Sequence, residues 1–211
     1  MYAGLYSGMK VVIPYRDRPS AFDELGFCLK SLKKHHNGDV YIVSGVKTKH
    51  NVKHIHCEDT DLCRYENVKK KVIKACEVLN EPFLYMNDDM YLLEPFREVD
   101  YYCGKLTERT RTGSKQKAIV DSAIAESRDG LNYSIHSPMI IEPEIMRGIR
   151  SVSFKDVHGS LSSRDKVELR DVKIRTKADH LNPEQFIEGL PFFSTSEFSL
   201  SFLGEFMGEL I

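Results

Sequence analysis

Through the first 90 residues, short β-branched and apolar runs alternate with longer stretches whose apolar positions recur at helical spacing. Lys10 to Tyr15 reads as a short buried strand stopped by Pro14. Ser20 is placed to cap a helix from Ala21 to about Lys34, with Phe22, Leu25, Leu29 and Leu32 on one face. Asn37-Gly38 marks a turn. Strands are expected over Asp39 to Ser44 and Val52 to Cys57, and a helix over Tyr65 to Leu79 through Val68, Val72, Ala75 and Cys76. A strand–helix alternation of this kind predicts an α/β fold: a mostly parallel sheet flanked by helices.

The next stretch, Phe83 to Phe96, joins fold to chemistry. An apolar run ends in Asn87-Asp88-Asp89, and a second apolar run begins at Met90. The first run has the length of a buried strand. Acidic side chains are rarely interior unless paired or bound to a cation. Asp88 and Asp89 at a strand end therefore point to a cleft for Mg²⁺ or Mn²⁺, ions that bind through one or two carboxylates plus substrate phosphates. The competing reading is a plain turn, since Asn and Asp are common turn formers.

Beyond Tyr91 the pattern loosens. Val99 to Cys103 reads as a strand, residues 107 to 117 as a mobile polar loop, and Ala118 to Ser127 as a helix. Tyr133 to Ile141 is strand-like, and Pro143 opens a short helix to Ile149. Residues 151 to 181 are polar, with a strand expected at Val172 to Thr176, and Phe192 to Ile211 is apolar enough to dock. With no repeats and no clear linker, one domain is the simplest organisation, residues 10–95 forming one half and 96–211 the other.

Several clusters carry candidate chemistry. Pro14-Tyr15-Arg16-Asp17-Arg18 follows the first strand, where open α/β sheets bind ligands; the arginines suit phosphate or a base edge, and Tyr15 a ring. The same residues also read as a solvated loop with an internal Arg–Asp pair. Arg64, Asn67 and Lys70 fall at i, i+3 and i+6 of a helix start and border the same region, or form a polar helix face. His136, in Ser134-Ile135-His136-Ser137-Pro138, is a candidate metal ligand or proton carrier, against a structural histidine. In Arg170-Asp171-Val172-Lys173, Asp171 is a candidate base and Lys173 a candidate phosphate partner. Residues 191 to 197 read best as a cap before a final helix, and His180 is a further possible ligand.

Two resemblances follow from these residues. Ile13-Pro14-Tyr15-Arg16-Asp17-Arg18 resembles the donor-contacting segment of the β-1,4-galactosyltransferase family. The order of parts resembles the Stealth proteins, sugar-phosphate transferases of capsule synthesis, through Phe83-Leu84-Tyr85-Met86-Asn87-Asp88-Asp89 and His136-Ser137-Pro138. This resemblance covers roughly residues 10 to 141; the Trp-Val-Asp-Gly start of Stealth proteins is missing, and the chain has no Trp. Both resemblances imply a GT-A-type nucleotide-sugar domain whose acids hold a divalent ion, Mn²⁺ or Mg²⁺, against a diphosphate, and the activity expected with them is a metal-dependent glycosyltransferase that uses a nucleotide-diphosphate sugar, most simply a UDP-sugar. They imply an ion held by Asp89, Asp88 and His136. A donor contacted by Pro14, Tyr15, Arg16, Asp17, Arg18, Arg64, Asn67, Asn87, Asp88 and Lys173 follows, with Asp171 and His136 as catalytic candidates. The alternatives are a Stealth-like hexose-1-phosphate transferase and a non-catalytic nucleotide- or carbohydrate-binding module. Similar small chains occur in bacteriophages, where some glycosylate hydroxymethylated DNA bases, so the acceptor expected is a glycan or modified DNA.

Charge and cysteine content narrow the classes. Net charge is −1, so no global field marks a nucleic-acid partner, although basic tracts run from Lys105 to Lys117 and from Lys166 to Lys177. The five cysteines form no Cys-x-x-Cys pair, which argues against a disulfide framework and for a reducing cytoplasm. His54, His56 and Cys57 lack zinc-site spacing, and their alternation reads as a strand face. No apolar run reaches the roughly 20 residues of a membrane helix, and no secretory signal is visible.

Overall fold

A computed structural model describes residues 8–17, 23–109, 113–169 and 191–194, with the backbone alone at Phe193. Strands β1 (Val11–Pro14), β2 (Val40–Ser44), β3 (Lys53–His56), β4 (Phe83–Tyr85) and β7 (Met139–Ile141) form one sheet in the order β3-β2-β1-β4-β7. The first four run parallel and β7 is antiparallel to β4. The protein is thus a mixed α/β structure with a mostly parallel central sheet flanked by helices. Alternation along β1 sends Val11 and Ile13 into one core and Val12 into the other. Helix α1 (Glu24–His35) covers the first face with Leu25, Cys28 and Leu32, and α2 (Arg64–Leu79) covers the second with Val72, Ala75 and Cys76.

Helix α1 begins later than the Ser20 cap predicts. Its cap is Asp23, whose carboxylate accepts the Gly26 N–H at 3.0 Å. Helix α2 opens with a capping box in which Glu66 accepts the Cys63 N–H, and it ends at Asn80 with φ 48°. Gly38 serves close approach rather than an unusual φ: a Cβ there would overlap the Met9 carbonyl oxygen, which His36 Nε2 also contacts at 2.6 Å. Gly38→Ala is therefore expected to cost about 1–3 kcal/mol. The measurement is the urea midpoint, which should fall at unchanged slope.

The second half departs further from the sequence pattern. Strand β5 (Met90–Leu92) leaves the main sheet and pairs with β9 (Phe192–Ser194), so residues 192–194 are strand and not part of a helix cap. Strand β6 (Val99–Tyr102) pairs in parallel with β8 (Asp165–Glu168), which the sequence pattern did not indicate; the strand expected at Val172 to Thr176 lies outside the described residues. Within the loop expected over 107 to 117, a 3₁₀ turn covers Leu106–Glu108, and α3 (Ser114–Glu126) starts four residues before Ala118. Of the strand expected over Tyr133 to Ile141, only Met139–Ile141 forms. The N–H groups of Tyr133 and Ser134 donate to the Asp156 carboxylate instead of to a neighbouring strand. Helix α4 (Pro143–Gly148) forms as its proline predicts, and α5 (Phe154–Leu161) is an additional, almost wholly buried helix. No helix among the described residues is long and apolar enough to cross a membrane.

Candidate functional site

The chain runs from β1 outward to β2 and β3, then returns to place β4 on the other side of β1. This reversal makes the carboxyl ends of β1 and β4 the switch point where open α/β sheets bind ligands. A cleft of about 760 Å³ lies there, formed by Pro14–Asp17 after β1, residues 47–50 after β2, the first turns of α2 and the Asn87–Asp89 turn after β4. The fold thus gathers Pro14, Tyr15, Arg16, Asp17, Arg64, Asn67, Asn87, Asp88 and Asp89 at one place. Arg18, Asp171, Lys173 and His180 lie outside the described residues. His136 is absent from the cleft lining and abuts Asp89 beside it.

The acidic motif is a turn that lines the cleft. The Met90 N–H donates to the Asn87 carbonyl at 3.2 Å, closing a turn with Asp88 and Asp89 at its centre. The Tyr85 hydroxyl donates to Asn87 Oδ1, so Asn87 serves the turn's geometry. Asp89 is only 8% exposed, with Oδ2 3.6 Å from His136 Nδ1, while Oδ1 is buried without a hydrogen-bond partner. Burial pushes the Asp89 carboxyl up, but His136 at 3.6 Å, aided by Arg64, overcomes this and holds it below the usual carboxylate range. An ionised, buried carboxylate with one orphan oxygen at a cleft is the chemistry expected of a cation ligand. No group of three His, Cys, Asp or Glu able to hold a metal occurs among the described residues. An ion here would depend on oxygens from its substrate to complete its shell, the usual mode of Mg²⁺ with phosphates.

The opposite wall is held from below. Lys71, 3% exposed, donates from Nζ to the Tyr15 carbonyl at 2.7 Å and pairs with Asp59 Oδ1 at 2.7 Å. Asp59 also faces Arg16 Nε at 3.7 Å, so one carboxylate and one ammonium fix the segment after β1. Sequence spacing pointed to Lys70, but that side chain reaches the Glu58 carbonyl, and the lysine of α2 that lines the cleft is Lys71. Tyr15 donates to Asp17 at 3.3 Å, and its phenol is pushed up to about 12, first by burial and then by the Asp17 charge. Asp23 binds Lys49 at 2.8 Å and His50 at 3.3 Å across the cleft's outer end.

Asn67 lines the cleft, yet its amide is engaged elsewhere. Oδ1 accepts from Thr60 N and Oγ1, and Nδ2 donates to the Thr60 and Leu62 carbonyls. It positions the approach to α2, which carries Arg64. Asn67→Ala leaves several of these partners unpaired, and an expected loss of about 1–3 kcal/mol follows, measured as a lowered thermal midpoint.

Behind the acid turn lies a polar network that the sequence pattern did not reveal. Asp156, fully buried on α5, accepts the Tyr133 and Ser134 N–H groups at 2.8 Å each, the Ser134 and Ser153 hydroxyls at 2.7 and 2.6 Å, and Arg109 Nη1 at 3.2 Å. Its neighbour Lys155 is buried, and burial pulls its amine down to about 7, nearby Asp156 and Asp89 opposing. His158, farther along α5, accepts the Glu142 N–H at Nε2, and its pKa is lowered to about 3, first by burial and then by Arg164. A Ser-x-x-Asp pair at residues 153 and 156 was the one signal of this helix in the sequence. On β3, Ile55 is buried while His56 is exposed, the alternation expected of a strand.

Compared with known proteins, the chain matches no family model, and no curated protein matches it significantly.

Proposed function

We propose that the protein is a metal-dependent glycosyltransferase of GT-A type that uses a nucleotide-diphosphate sugar, most simply a UDP-sugar. The observation that carries this reading is the buried Asp89, with an unpartnered carboxylate oxygen, at the switch point of a mostly parallel sheet. Asp89, with Asp88 beside it, would hold Mn²⁺ or Mg²⁺, which when bound offsets negative charge on a diphosphate leaving group. The cleft lining supplies the rest of a nucleotide's needs. Tyr15 offers a ring face at one end and Arg64 a guanidinium near the acids, while Arg16, Lys47 and Lys71 add positive charge. An opposed set of carboxylates and cations suits a ligand that brings phosphates and an ion together.

His136 lies beside Asp89, outside the cleft lining, and in this reading it faces the acceptor hydroxyl. Its Nδ1 is taken up by Asp89 and by Ser194 Oγ at 3.1 Å, which directs Nε2 away from both. Asp171 is the other candidate base in this reading. The acceptor proposed is a sugar or modified-base hydroxyl.

The test is a hydrolysis screen in which the full chain, a panel of nucleotide sugars and Mn²⁺ are incubated together and the freed nucleotide is identified. Release of UDP, or another nucleoside diphosphate, that stops without Mn²⁺ is the expected result. Release of a nucleoside monophosphate would replace it with sugar-phosphate transfer, and Mn²⁺-independent binding without turnover would reduce the protein to a binding module.

A further inference from the structure

Lysine on a short helix ordinarily extends to solvent, and a buried one calls for a reason. Lys155 is 8% exposed, and its Nζ donates to the Ile135 carbonyl at 2.6 Å and the Ser137 carbonyl at 2.8 Å. Those carbonyls bracket His136. The Ser137 N–H also donates to the Ile135 carbonyl at 2.8 Å, so His136 is the central residue of a tight three-residue turn. Among the described residues no strand pairs with the backbone of this turn, since β7 begins only at Met139; the strand contact is that of the His136 ring with Ser194 of β9. The same lysine sits over the Tyr85 ring, 5.6 Å from its centroid, and Tyr85 in turn holds Asn87 of the acid turn. The next residue, Asp156, anchors Tyr133 and Ser134. Two consecutive side chains of α5 therefore grip the segment on both sides of the histidine.

We propose that Lys155 is a positioning residue: by clamping the carbonyls that flank His136 it sets the imidazole against Asp89, so that His136 engages Oδ2 and Oδ1 remains for a cation. The part concerning the cation rests on the reading of Asp89 given above; the part concerning His136 does not. In this arrangement Lys155 touches neither nucleotide nor acceptor. Its consequence is the orientation of the histidine ring, with Nδ1 turned to Asp89 and Ser194.

Histidine-ring nitrogen NMR on the full chain, without ligand and at about pH 8, where an ordinary histidine is neutral, tests this directly. In the native protein the His136 ring is expected as the Nδ1–H tautomer, because the Asp89 carboxylate facing Nδ1 can only accept, whereas the Ser194 hydroxyl serves either tautomer. In Lys155→Met it should shift toward the Nε2–H form favoured by free imidazole. His158 is the internal control: its Nε2 accepts the Glu142 N–H at 2.9 Å, so it is an Nδ1–H tautomer that reports whether α5 is intact. Lys155→Gln, which keeps two N–H donors, should retain more of the native His136 signal. Titration with Mn²⁺ alone should show about tenfold weaker binding in Lys155→Met, the scale of losing a residue that orients a ligand. An unchanged His136 tautomer in a folded Lys155→Met or Lys155→Gln protein overturns the proposal. So does joint loss of the His136 and His158 signals in both variants, which would make Lys155 a requirement of the helix alone. If native protein binds no Mn²⁺, the reading of Asp89 fails while the ring spectrum still decides the role of Lys155.

Discussion

Asp89→Asn is expected to abolish the Mn²⁺ dependence of nucleotide binding and to lower turnover by on the order of 10²-fold or more, the scale of removing one electrostatic stabiliser. The substitution keeps the shape of a residue that is 8% exposed, so an unchanged circular-dichroism spectrum should accompany the loss. Calorimetric titration of UDP with and without Mn²⁺, on both proteins, is the measurement. Equal, ion-independent affinities would remove the basis of the proposed function. The pH dependence has a definite sign. Burial alone would raise the Asp89 pKa, but His136 and Arg64 together depress it, so the folded protein keeps this group ionised where an unfolded chain would protonate it. Its contribution to stability is complete above the ordinary carboxylate range near pH 4 and is lost as pH falls through the lower folded value. Ion-dependent binding should accordingly hold on acidification until that range is passed, and Asp89→Asn should lack this step.

Asp156→Ala carries the largest expected effect on stability. The carboxylate is fully buried and receives hydrogen bonds from Tyr133, Ser134, Ser153 and Arg109. Its removal leaves two backbone N–H groups and a partly buried guanidinium without their acceptor, and breaking a buried pair in this way costs about 3–5 kcal/mol. For a chain of 211 residues that corresponds to a fall in melting temperature of roughly 6–20 °C. Asp156→Asn keeps one acceptor oxygen and the side-chain volume, so its fall should be smaller. A melting temperature for Asp156→Ala within about 2–4 °C of the native value, the equivalent of about 1 kcal/mol, would show that the loop before β7 is held by other means. Because that loop carries His136, the alanine variant should also weaken ion binding at temperatures where it remains folded.

These two residues also mark how far the sequence can be read. Asp88 and Asp89 were legible because their signal is local: an apolar strand that stops at two acids allows few arrangements, and both a turn and a cleft site prove compatible with it. The helix α2 was legible as a helix with its apolar face, Val72, Ala75 and Cys76, but which of its lysines lines the cleft was not. Spacing from Arg64 through Asn67 pointed to Lys70, whereas the cleft face continues through Val68 to Lys71, the i, i+3, i+4, i+7 stripe of a helix. A single residue there turns a side chain by about 100°, and only packing on the sheet fixes which one faces inward. Residues 151 to 169 were opaque for a different reason. Ser153, Lys155, Asp156, His158 and Ser160 are all buried, but buried polar side chains and solvated ones have the same periodicity.

Local pattern alone determined the alternating strands and helices of the first half, the parallel sheet they imply and the acidic turn at its rim, because each depends on neighbours within a few residues. The tertiary structure decided which lysine faces the cleft, that the segment before β7 is a clamped loop and not a strand, and that His136 meets Asp89. Each of those outcomes rests on hydrogen bonds between groups far apart in the chain, such as Lys155 with Ile135 and Lys71 with Tyr15. Such partners satisfy buried polar groups whose need is invisible until folding removes them from water.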